Sequence, residues 1–62
     1  MKNQYAVATA WTKRFDMGFD VQALLTFTQA ETEDEAIEKA EQAEKLIAQG
    51  YTCISAVARV MP

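Results

Sequence analysis

Histidine is absent from this chain, and cysteine, serine, proline and tryptophan occur once each. With no imidazole to activate Ser55 or Cys53, neither a Ser/His nor a Cys/His nucleophile pair can be assembled within the chain. The usual zinc and haem ligand sets are missing as well. These absences lead us to expect no catalytic residue, no metal site and no cofactor. A lone Cys53 makes no intrachain disulfide, which fits a reducing, cytoplasmic setting. Long apolar runs are lacking: nothing approaches the ~18 residues of a membrane span, and Tyr5 to Trp11 is too short and too interrupted by Thr9 for the apolar region of a signal peptide after Met1-Lys2-Asn3-Gln4. Cations are outnumbered, six against nine acids for a net charge of −3. That balance disfavours direct contact with nucleic acid or an anionic membrane, both of which require clustered Lys and Arg.

What is present is a chain of 62 residues, half of them apolar. Such a length makes one domain, residues 1–62, that buries about 60% of its unfolded surface and rarely holds a deep pocket as well. Tyr5, Val7, Thr9 and Trp11 alternate with Ala6, Ala8 and Ala10, a period of two that predicts a strand. Asp16-Met17-Gly18 supplies turn chemistry. Phe19, Val21, Ala23, Leu25 and Phe27 then alternate with Asp20, Gln22, Leu24, Thr26 and Thr28, which predicts a second strand with the first set buried and the second mostly wet.

The period changes at Ala30. Thr32-Glu33-Asp34-Glu35 reads as a capping box, with the Thr32 hydroxyl meeting the Glu35 amide and the Glu35 carboxylate returning to the Thr32 amide. Ala36, Ile37, Ala40, Ala43 and Ile47 form one stripe, predicting a single amphipathic helix of roughly four to five turns that Gly50 closes. Glu35 with Lys39 and Glu41 with Lys45 are spaced as i,i+4 pairs. Glu44 lies at the shoulder of the apolar stripe, where its carboxylate is expected to reach past the sheet edge to water; a buried one would need a cation such as Arg59. Period two returns from Tyr51 to Met61 as a third strand.

Strand, strand, helix, strand implies an α+β fold: a single ββαβ domain with a three-stranded antiparallel sheet, the first strand central and one helix on one face. The uncovered face, expected to carry Leu24, Cys53 and Val57, meets solvent or a partner. Trp11 and Tyr5 are expected in the core. Phe15 and Phe19 either cap its end or, if the hairpin tip projects, stand with Arg14 as anchors for a partner.

Charge is concentrated. Seven of the nine acids, Glu31 to Glu44, lie within fourteen positions, so this segment carries −6 after Lys39 and the remainder of the chain +3. On a helical wheel Glu31, Asp34, Glu35, Glu38 and Glu41 share the face opposite the alanine stripe. Acids near a helix N-terminus are favoured by the macrodipole and by solvent. The same strip also suits a basic, nucleic-acid-binding surface on another protein.

The pattern Phe19-Asp20-Val21, then Ala30-Glu31-Thr32-Glu33-Asp34-Glu35-Ala36, Glu38, Ala40-Glu41 and Gly50-Tyr51 before a last strand resembles the small host RNA polymerase inhibitors of T7-like phages. That resemblance implies a strand-strand-helix-strand fold and a non-enzymatic phage protein that occludes a bacterial host protein. In that family the last strand bears arginines toward the polymerase; the matching positions here are Ser55 and Val57, and Arg59 is the basic residue of the strand. Anti-CRISPR and other anti-defence proteins are similar in size and acidity, so the expected partner is a host protein with a basic surface, RNA polymerase or a nucleic-acid-handling defence complex. The residues expected to bind it are Asp34, Glu35, Glu38, Glu41, Arg14, Phe15 and Arg59. The alternative expectation is an assembly module that homodimerises through the open sheet face or a strand edge.

Overall fold

The computed structural model describes residues 2–62, leaving Met1, and with it the start of the N-terminal stretch weighed above as a leader, outside the described residues. The elements are β1 (Asn3–Phe15), β2 (Gly18–Ala30), α1 (Glu33–Ala40), α2 (Glu44–Ala48) and β3 (Thr52–Val60). The fold is α+β, with one antiparallel sheet in the order β2-β1-β3, so the first strand is central as expected.

The hairpin sets everything else. Asp16 and Met17 form a two-residue turn, and Gly18 follows at φ 149°, a conformation that L side chains rarely adopt. The strands extend to this turn: Lys13 pairs with Asp20 and Phe15 with Gly18, in keeping with the turn chemistry of Asp16-Met17-Gly18. β3 pairs with β1 from Tyr5 to Thr12, so the end of the hairpin runs past it as a two-stranded ribbon, and the molecule measures 46 × 18 × 14 Å. The tip projects: Met17 is 99% exposed, and Phe15 and Phe19 are exposed rather than folded back as an end cap.

The two-residue turn also fixes which faces of β1 and β2 coincide, because it pairs odd positions of β1 with even positions of β2. Tyr5, Val7, Thr9 and Trp11 face the helices and are all buried. Their partners Thr28, Thr26, Leu24 and Gln22 therefore share the covered face. The expectation that Phe19, Val21, Ala23, Leu25 and Phe27 are buried is corrected: they stand on the open face beside Ala6, Ala8, Ala10 and Thr12, and all five are exposed. Leu24 and Cys53 likewise belong to the covered face, Cys53 through its pairing with Trp11, while Val57, opposite Ala8, is on the open face as expected. A bulge in β3 between Cys53 and Ser55 leaves Ile54 as the extra residue.

The core is small. Val7 and Trp11 are its large, fully buried side chains, joined by Tyr5, Ala30, Ala36, Ala40, Leu46 and Ala58. Each fully buried large side chain contributes about 1.5–3 kcal/mol. The Trp11 indole N–H donates to the Thr9 hydroxyl at 2.9 Å, so both buried polar groups are satisfied.

The expected single helix is two. Ala43 has φ −68° and ψ 87°, outside the helical region, and separates α1 from α2. The break changes the phase of the apolar stripe. Ala36 and Ala40 lie against the sheet as expected and Ile37 and Ala43 are half-buried, but Leu46 is buried at 8% whereas Ile47 is 53% exposed. Neither glycine nor proline marks the break. A straight helix would present Ile47 to the sheet, and the re-phased second helix brings the other branched side chain there instead. The Glu41 to Lys45 pair is lost with helical continuity, while Glu35 and Lys39 meet at 3.3 Å.

Both ends of the helical segment are closed by local bonds. Thr32 is the N-cap, its hydroxyl accepting from the Glu35 amide at 3.1 Å. The Glu35 carboxylate accepts from the Glu31 amide at 3.2 Å, one residue earlier than the capping-box expectation. At the other end Gly50 sits at φ 90°, with the Gly50 amide donating to the Ile47 carbonyl and the Tyr51 amide to the Leu46 carbonyl, the paired bonds of a Schellman motif.

Candidate functional site

The seven residues expected to bind a partner do not form one site. Asp34 and Glu38 are exposed on α1, and Glu41, its C-cap, is exposed beside them. Glu35 is half-buried and engaged: it holds Lys39 and the Glu31 amide, and these contacts keep its carboxyl below the ordinary carboxylate value, the amide bond being the larger cause. Lys39 is also committed, donating to the Gln29 carbonyl at 2.7 Å and so fastening α1 to the end of β2. Among the described residues, Glu35–Lys39 is the one ion pair, leaving Glu31, Glu33, Asp34, Glu38, Glu41 and Glu44 as an exposed acidic ridge. Glu44 is solvated, with no Arg59 partner.

Arg14 and Arg59 lie on the other side of the molecule. Arg14 pairs in register with Phe19 and Arg59 with Ala6, which places both on the open sheet face, one toward each end. Phe15 is at the tip, with the Lys13 ammonium 5.3 Å from its ring centroid. The acids and the arginines thus occupy opposite faces, with the sheet between them.

Sequence reasoning missed two features. One is the make-up of the open face, expected to carry Leu24, Cys53 and Val57 and in fact lined by Phe19, Val21, Leu25 and Phe27. Pairing the strands across the Asp16-Met17 turn would have revealed it, because Trp11 then opposes Gln22 and the apolar half of β2 faces the alanines. The other is a polar cluster where the ribbon leaves β3. Asp20 Oδ2 accepts from the Tyr51 hydroxyl at 2.5 Å and from the Gln22 side-chain amide at 2.9 Å. The Tyr51 bond, then the Gln22 bond, hold the Asp20 carboxyl below its usual value, and the same carboxylate pushes the Tyr51 phenol up. Lys13 lies 5.9 Å from the Tyr51 ring centroid, within cation–π range. This cluster pins the turn after α2 to the hairpin.

A shallow groove of about 410 Å³ runs between α2 and β2, lined by Gln22, Leu24, Glu44, Lys45 and Leu46 among others. Among the described residues no three His, Cys, Asp or Glu side chains are grouped to hold a metal ion, and no helix is long and apolar enough to cross a membrane. The surfaces on offer are suited to binding through charge on the helical side and through apolar contact on the sheet side. No protein-family model, curated protein or solved structure matches the chain.

Proposed function

We propose that this chain is a non-enzymatic inhibitor of phage type that binds a bacterial host protein and covers a basic, nucleic-acid-handling surface on it, either RNA polymerase or a defence complex such as a CRISPR effector. The observation that carries the reading is the acidic ridge around α1. Five carboxylates, Glu31, Glu33, Asp34, Glu38 and Glu41, stand exposed on or beside α1 without a cation partner among the described residues, Glu44 follows on α2, and the one lysine of α1 is held by Glu35 and Gln29. A single-sign ridge of this kind steers a protein toward a basic channel and disfavours acidic competitors, including nucleic acid itself. Mimicry of charge needs no pocket and no reacting group, which suits a chain of 62 residues without histidine. The resemblance to the polymerase inhibitors of T7-like phages supports the same reading through the acidic helix segment.

A tagged pull-down from a bacterial lysate tests it, with eluted proteins identified by mass. The wild-type chain is expected to retain RNA polymerase or a defence nuclease complex, and the Glu38→Lys/Glu41→Lys variant, equally folded, to retain neither. Capture that survives the charge reversal would exclude the ridge as the binding surface, and the absence of any specific host protein would overturn the reading.

A further inference from the structure

The open sheet face is apolar and uncovered in the single chain. Phe19, Val21, Leu25 and Phe27 of β2 are between 53% and 72% exposed, and Val57 of β3, opposite Ala8, is 51% exposed. None of the three phenylalanines of the chain is in the core. The total accessible surface is 4668 Å². A folded monomer of 6.9 kDa exposes only about 4,000 Å² by the usual scaling with mass. The excess, on the order of 600 Å², includes the projecting tip and matches the open face: strands ~3.3 Å per residue long and ~4.8 Å apart give roughly 500–600 Å² for its area. The part of this face formed by β1 and β2 is roughly 400 Å², so two copies meeting through it would bury about 800 Å² together, the size of a weak, concentration-dependent contact.

The relief of the face is self-complementary. Ala6, Ala8 and Ala10 make a shallow trough along the central strand, and the larger β2 side chains form a ridge beside it. A two-fold axis parallel to the strands, between β1 and β2, lays the ridge of each copy into the trough of the other, with the sheets aligned as in a β-sandwich. Charge agrees with this arrangement. No carboxylate lies on the open face, and its two charged strand residues, Arg14 and Arg59, sit toward opposite ends, leaving the middle neutral. The acidic ridges of the two copies would then point outward on opposite sides of a helix-sheet-sheet-helix sandwich, as far apart as the molecule permits.

We infer that the open sheet face is covered by a second copy of this chain, with Leu25 and Phe27 inserted over the alanine trough of the partner. This does not depend on the inhibitor reading, since the ridge and the open face are on opposite sides.

Sedimentation equilibrium of the full chain over a wide concentration range, with the Leu25→Glu and Ala8→Glu variants, tests it. Both positions are exposed in the single chain, so circular dichroism of the variants should match the wild type. The expected result is a wild-type mass that rises with concentration toward twice 6.9 kDa, a dimerisation constant weakened roughly 100-fold or more in each variant by an unpaired carboxylate in the apolar contact, and no change in Glu38→Lys/Glu41→Lys. A wild-type chain that stays monomeric throughout would overturn the inference. So would a dimer that persists in both open-face variants or dissociates on charge reversal of the ridge.

Discussion

The Tyr51 hydroxyl donates to Asp20 Oδ2 at 2.5 Å, joining residues 31 positions apart. It links the turn that follows α2 to the ribbon of the hairpin, the part of the sheet that runs beyond β3. The bond needs a neutral phenol and an ionised carboxylate. Asp20 has its pKa lowered, so its contribution is present above the ordinary value of 3.8 and is lost as pH falls through the depressed value in the folded chain. Tyr51 has its pKa raised, so its contribution is complete below 10.0 and is lost as pH rises through the elevated value. Tyr51→Phe should therefore lower Tm by a few degrees at neutral pH. At high pH, where the wild-type bond is already gone, the difference from the wild type should narrow. Thermal melts of both proteins across pH check this.

The assignment of faces predicts an asymmetry between two aliphatic truncations. Val7 is fully buried, and Val7→Ala should cost about 2 kcal/mol by removing packed methyl groups from the small core. Leu25 is 64% exposed, and Leu25→Ala should change the stability of the single chain by less than about 0.5 kcal/mol although it removes more carbon. Urea titrations at a concentration low enough to keep the chain monomeric measure both. The reverse ranking would mean that the Phe19, Val21, Leu25 and Phe27 face is the core.

Ala43 gives a prediction of sign. As the N-cap of α2 it lacks a side-chain acceptor, and Ala43→Ser should stabilise the chain by about 0.5–1 kcal/mol through a bond to a free amide of the first turn. In a continuous helix the same substitution would be destabilising by roughly 0.5 kcal/mol, because serine is a poorer helix former than alanine. Thr32→Ala, which removes a cap whose bond is present, should cost about 1 kcal/mol. Denaturant midpoints of the two variants moving in opposite directions would agree with the split.

These contrasts mark where the amino-acid pattern was sufficient. Alternation placed all three strands, Tyr5 and Trp11 identified the covered side of β1, and Thr32 and Gly50 located the ends of the helical segment. The faces of β2 were not legible from its own alternation, because both halves contain large apolar residues and only the register through Asp16-Met17 says which half meets Tyr5 and Trp11. The same ambiguity explains Leu24, whereas Cys53 changes side because the bulge at Ile54 shifts the alternation of β3. The break at Ala43 carries no glycine or proline signal. It follows from tertiary packing, which selects Leu46 over Ile47 for the sheet. Of the expected binding residues, Asp34, Glu38 and Glu41 are exposed on the helical side, as helical spacing suggests, whereas Glu35 is half-buried in its cap and ion pair. Arg14 and Arg59 could not be assigned to the opposite face until the strand register was known.

The acidic ridge is most directly tested by the salt dependence of binding to the host protein that the chain captures. Equilibrium titrations at low and at elevated salt, with the wild type and the Glu38→Lys/Glu41→Lys variant, supply the comparison. An interface built on this ridge should lose at least about tenfold in affinity as the Debye length shortens from ~30 Å to ~8 Å, and the variant should bind at least about 100-fold more weakly than the wild type at low salt. Affinity that is indifferent to salt, with the variant binding as tightly as the wild type, would contradict the account.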